Sequence, residues 1–107
     1  LGLPTIFRDE AQGLVFVHGG VDPDTFPACG ERVQMWTRRK EFFDTRCWTA
    51  PDLIGQTVVH GHSPTQDSLP DMAADGRRIN VDTGAVFGGR LTAAILVPGA
   101  APRFLHS

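Results

Sequence analysis

The sequence predicts an α/β domain, on three observations. Short segments of strand length, most of them apolar, recur along the chain: LVFV at Leu14–Val17, TVVH at Thr57–His60, RINV at residues 78–81 and LTAAILV at residues 91–97. One stretch, ERVQMWTRRKEFF at residues 31–43, spaces its apolar residues at roughly the helical period. Two of the strands end on histidine-glycine, the place where α/β folds gather ligands from neighbouring loops.

Taken in order, LGLPTIF enters without a helix cap or turn. LVFV is a continuous apolar run closed by HGG, which predicts a strand buried on both faces with a sharp exit through glycine. VDPDTFPACG, with two prolines and a glycine, is loop, and the helix over residues 31–43 follows it. A polar, proline-bearing stretch then leads to TVVH. SPTQDSLPDMAADGRR is a long loop or a loose hairpin around Asp75 and Gly76, feeding the third strand at residues 78–81. DTGAVFGG turns the chain into LTAAILV, and PGAAP separates that strand from a possible last one, RFLHS. No repeat or low-complexity tract interrupts the pattern.

Length and composition restrict the function classes. A chain of 107 residues makes one domain or less, able to bury roughly two thirds of its unfolded surface. The formal charge is -2 and nine of the ten basic residues are arginine, so the chain lacks the basic footprint of a general nucleic-acid binder. No apolar run approaches the ~18 residues of a membrane span, and no charged-then-apolar leader opens the chain. A soluble, cytoplasmic protein is expected, with no membrane partner. Cys29 and Cys47 stand too far apart for a redox CxxC and are read as free thiols.

VVHGHSP places two histidines one glycine apart at the end of an apolar strand. Imidazole is the commonest metal ligand, and a histidine at a strand end is held where a metal could use it. The structural alternative is one satisfied core histidine and one solvent-facing neighbour. LVFVHGG repeats the arrangement, so His18 and either His62 or His60 could meet across some 40 residues of chain. Two histidines alone do not complete a metal site.

FVHGGVDP, MWTR, VVHGHSP and INVDTGAVFGGRLTAAIL, in this order, resemble the carboxy-terminal half of bacterial calcineurin-like metallophosphoesterases of the phosphoprotein phosphatase type, a group that includes symmetrical diadenosine tetraphosphatases. The resemblance implies that residues 1–107 form the carboxy-terminal portion of a single metallophosphoesterase domain, a β-sandwich flanked by helices. The family's GDxHG, GDxxDRG and GNHE motifs are not among these residues and are expected to precede Leu1. In the family those segments supply the first metal's ligands, the bridge to the second metal, and the histidine thought to protonate the leaving group.

By the same resemblance, His18 and His62 correspond to ligands of the second metal, and Arg38 to an arginine that grips the substrate phosphate. Arg39 stays open for that role, because counting back from Phe42 selects it instead. His60 has no assigned role and is read as a neighbour supporting its loop, while Trp36 is read as core. Ser63 stands where the family more often has threonine and keeps the hydroxyl. Asp82 could orient a ligand histidine, although capping its own turn is the preferred reading; Gly19, Gly20 and Gly61 are read as positions of close backbone approach.

The implied activity is hydrolysis of phosphate esters, on protein or small-molecule phosphomonoesters or on dinucleoside polyphosphates. Water activated between two divalent ions, manganese, iron or zinc, would attack phosphorus in line. The alternatives are a non-catalytic metal-binding or scaffold remnant of the same fold, and a zinc-stabilised module using Cys29, Cys47 and a histidine, whose spacing fits no compact ligand set. These residues alone are expected to be inactive. A half sheet is expected to expose an edge and an apolar face, and so to self-associate or pair with the missing half.

Overall fold

A computed structural model of the chain describes residues 6–28, 30, 33–34, 40–65, 67, 69–84, 92–97 and 100–106. Its centre is a five-stranded mixed sheet. Strands β1 (Ile6–Asp9), β2 (Leu14–Val17), β3 (Thr57–His60), β4 (Asp71–Met72) and β5 (Arg78–Asn80) lie in the order β1-β2-β3-β5-β4. The three central strands β2, β3 and β5 run parallel, with Val15 opposite Val58 and Val58 opposite Arg78. The outer strands β1 and β4 are antiparallel to their neighbours. A second, two-stranded sheet pairs β6 (Thr92–Ile95) with β7 (Arg103–His106).

The β2 and β3 strands have the limits their apolar runs predicted, while β5 stops one residue short of Val81. β1 was not anticipated. It folds back on β2 through a turn in which Gly13 takes a φ of 68° and Gln12 is held by both carboxylate oxygens of Asp9. Only glycine suits this turn, because a Cβ on Gly13 would come within 2.8 Å of the Gly55 carbonyl oxygen. The region around Asp75 and Gly76 is the loose hairpin, with β4 and β5 paired on either side of it.

Of the expected helix at residues 31–43, residues 33 and 34 are helical and α1 (Lys40–Phe43) forms its end; Trp36 lies outside the described residues. Two 3-10 turns follow, Thr45–Cys47 and Pro51–Leu53. Asp44 starts the first by accepting the amide of Arg46 while its carboxylate pairs with the Arg46 guanidinium. Proline starts the second, where its missing N–H leaves no donor unsatisfied.

Register divides the sheet into two faces. Val15, Val17 and Val58 point to one side and pack with Val21, Phe26, Phe42, Trp48 and Leu53. Phe42 is fully buried, with Trp48 stacked on it at 5.8 Å, and the Trp48 indole N–H donates to the Phe42 carbonyl at 2.8 Å. Leu14 and Phe16 face the other side and are only half buried, so β2 is not buried on both faces as its apolar run predicted. The difference arises because Phe7 on the edge strand, tilted against Phe16 at 6.2 Å, covers that face only in part and is itself exposed.

On this second face Val59 and Ile79 are buried, and a cleft of about 210 Å³ separates Leu14, Thr57 and Ile79 from Leu96 and Val97 beyond β6. Exposed large apolar side chains include Phe7, Met72, Val97 and Leu105. No helix among the described residues is long and apolar enough to cross a membrane.

Candidate metal centre at the strand ends

The parallel strands β2 and β3 deliver their carboxyl ends side by side, and each is followed at once by a histidine loop. His18 comes directly after Val17, and Gly61 and His62 come directly after His60. The ladder continues one step beyond the strands, because the Gly61 amide donates to the His18 carbonyl at 2.7 Å. That bond ties the two loops together, and the rings of His18 and His62 lie 5.1 Å apart, centroid to centroid. His18 is exposed and His62 half buried, so a ligand could reach both.

The backbone around both rings is held from several directions. Gly19 and Gly20 both donate to the Gln34 carbonyl, at 2.6 and 3.2 Å, anchoring the loop after His18. His62 has a φ of 69°, and the Ser63 amide closes back on the Gly61 carbonyl at 2.8 Å, making a tight three-residue turn with His62 at its apex. Such a conformation costs a non-glycine residue on the order of 1–3 kcal/mol, and persists only where its surroundings over-determine it. Gly61 itself has room for a side chain. A Cβ there would meet the Asp82 Cβ at 3.5 Å and the His18 carbonyl oxygen at 3.7 Å, so its close approach demands glycine less than the sequence suggested.

His60 occupies the opposite environment. It is 2 % exposed and wedged edge-on against Phe42 and Phe43, at 4.8 and 5.6 Å. The Arg78 guanidinium lies 3.0 Å from His60 Nε2 and 2.7 Å from an Asp71 carboxylate oxygen. Arginine can only donate, so Nε2 accepts and the proton sits on Nδ1, 3.4 Å from the Gly61 carbonyl. Of the two histidines in HGH, one is therefore a core residue and the other faces His18.

Burial, and then the Arg78 charge, push the His60 pKa down to about 4, against an ordinary value of 6.5. The unfolded chain takes up a proton near pH 6.5 and the folded one does not, so stability is complete above that pH and lost as pH falls toward 4. The loss expected is of order 3 kcal/mol from this group. Urea unfolding in the presence of chelator, repeated from pH 7.5 to 4.5, measures it. His60→Gln should flatten the part of that slope lying between pH 6.5 and 4.5.

Asp82 caps its own turn, accepting the Gly84 amide at 3.1 Å, and Gly84 takes the φ of 81° that this turn requires. Among the described residues, no group of three or more His, Cys, Asp or Glu side chains gathers where it could hold a metal ion. His18 and His62 thus form a pair. Arg38 and Arg39, the two candidates for the phosphate clamp, and Cys29 lie outside the described residues. Cys47 is an exposed free thiol.

Two contributions to this site were not read from the sequence. Asn80, 4 % exposed, donates from Nδ2 to the Ser63 carbonyl at 2.8 Å and accepts the Asp82 amide on Oδ1 at 2.9 Å. Arg78 is 5 % exposed and supports His60 from the next strand. The available signal was an arginine and an asparagine flanking isoleucine in a short strand, where polar side chains need specific partners.

With this geometry in place, the similarity to characterised proteins is informative. In an alignment 89 positions long that covers 75 % of this chain, the sequence is 32 % identical to the bis(5'-nucleosyl)-tetraphosphatase PrpE, asymmetrical, of Halalkalibacterium halodurans. The aligned part is 35 % of that protein, so the chain spans about a third of the length of the relative it matches. No protein-family profile matches the sequence, and no solved structure does. The relative's name specifies the asymmetrical activity, whereas the motifs resemble a group that includes symmetrical enzymes. The similarity is to a phosphate-cleaving hydrolase, in agreement with the activity the motifs implied at that coarse level.

Proposed function

We propose that these residues are part of a metal-dependent phosphoesterase, in which His18 and His62 bind one of two divalent ions. The observation that carries the proposal is the 5.1 Å approach of the two rings at adjacent parallel strand ends, each on a separately anchored loop. The donor set fits a manganese, iron or zinc ion: two imidazoles, one exposed and one half buried, with space for further ligands from the rest of a longer chain. When bound, the ions would supply positive charge against the phosphate oxygens and lower the pKa of water.

The chain's own residues do the remainder. Gly61 N–H fixes the spacing of the two histidine loops. Arg38, or Arg39 beside it, would grip two phosphate oxygens with a planar guanidinium. The substrate suggested by the similar tetraphosphatase is a dinucleoside polyphosphate, with phosphomonoesters as the broader class. Segments elsewhere in the full-length protein would complete the site and cover the apolar face that bears Phe7.

The test is hydrolysis by the full-length protein of diadenosine tetraphosphate and of 4-nitrophenyl phosphate. Chelation with EDTA should abolish turnover, and manganese, iron or zinc should restore it. Undiminished hydrolysis in EDTA would overturn the proposal. The products decide the cleavage mode, two ADP for symmetrical attack and AMP with ATP for asymmetrical attack.

A further inference from the structure

The strained turn at His62 raises the question of what maintains it. Left-handed φ is uncommon outside glycine, and the Ser63 amide closing onto the Gly61 carbonyl makes this a tight turn. Two bonds precede or span the apex: Gly61 N–H to the His18 carbonyl, and Ser63 N–H to the Gly61 carbonyl. On the far side, the first restraint is the Asn80 side chain, whose Nδ2 reaches the Ser63 carbonyl at 2.8 Å. The same amide group accepts the Asp82 N–H, and the Thr65 N–H donates to the Asp82 carbonyl at 2.8 Å. Asn80 therefore joins the His62 loop to the turn after β5, and both ends of its amide are used.

We propose that Asn80 is a positioning residue, whose buried amide clamps the carbonyl following His62 and so holds the His62 ring toward His18. The location supports this. Asn80 is the last residue of β5 and lies in register with His60, the last residue of β3, so its backbone is fixed by the ladder. The clamp needs one donor and one acceptor in a planar group, which asparagine supplies and aspartate, leucine or serine does not. Without it the turn would lose its restraint on the Ser63 side, and the His62 ring would be held toward His18 less firmly. The geometric part stands by itself, while its consequence for metal binding rests on the proposed role of His62.

The experiment pairs amide hydrogen exchange on metal-free protein with manganese titration, using full-length wild type and Asn80→Ala. Exchange at Gly61 and Ser63 should rise at least about tenfold in the variant, with amides of Val15 and Val58 unchanged, because a local restraint opens without global unfolding. Manganese affinity should fall by about 10- to 100-fold, the range for groups that orient a ligand. Asn80→Asp serves if the alanine variant fails to fold: it keeps the acceptor for Asp82 N–H and loses the donor to Ser63, so the same local rise in exchange is expected. Unchanged exchange at Gly61 and Ser63, or a rise shared equally by the core amides, overturns the clamp. If wild type binds no manganese, the metal proposal fails, and exchange still decides the clamp.

Discussion

Removing either imidazole of the pair should reduce manganese affinity of the full-length protein by more than about a hundredfold, exceeding the loss typical of groups that only orient a ligand. Hydrolysis should fall by at least as much. His18→Ala is the cleaner variant, since His18 is exposed and carries no positive φ. Its melting temperature should stay close to that of wild type, which separates loss of a ligand from loss of the fold. His62→Ala combines two effects, because alanine tolerates a φ of 69° poorly. His62→Asn keeps a residue that visits this region readily and should bind metal as weakly as His18→Ala. Titration calorimetry with manganese, with thermal unfolding in EDTA as the control, measures both. Full affinity in His18→Ala would remove that residue from the site.

The largest effect on stability is expected at Phe42. Its ring is fully buried and touches Trp48, Phe43 and His60, so it joins the apolar core to the buried His60 and Arg78 pair. Phe42→Ala leaves a cavity among side chains already fixed by hydrogen bonds, as Trp48 is to the Phe42 carbonyl. A loss of about 3–5 kcal/mol follows, a large share of the 5–15 kcal/mol available to a typical domain. Urea unfolding followed by tryptophan fluorescence measures the change, because Trp48 is buried only in the folded state. A loss below about 1 kcal/mol would mean that the core collapses around the gap, contrary to the packing described.

What could be read in the sequence follows from which physical signals are local. LVFV and TVVH are apolar or nearly apolar runs, a composition that central parallel strands need, so β2 and β3 were legible to the residue, and RIN, with isoleucine alone apolar, was legible from the turn signals around it. β1 was not, because IFRD alternates weakly and derives its structure from pairing with β2 and from the glycine turn between them. The 3-10 turns at Thr45–Cys47 and Pro51–Leu53 are too short for any periodicity to appear. At the site, the histidine-glycine endings marked both His18 and His62, since parallel neighbours bring strand ends together. His60 and His62, two residues apart, would share a face if the strand continued; β3 ends at His60 and the positive φ at His62 turns the chain, which spacing alone cannot show. Asn80 was invisible for a related reason: its partners, Ser63 and Asp82, are backbone groups of two different loops.

The central claim is that His18 and His62 share one metal ion. Crystals of the full-length protein grown with manganese, measured at the manganese absorption edge, test it most directly. The account requires an anomalous peak between the two rings, within bonding distance of one nitrogen of each. Manganese bound elsewhere, with the two imidazoles contacting only protein and water, would contradict it.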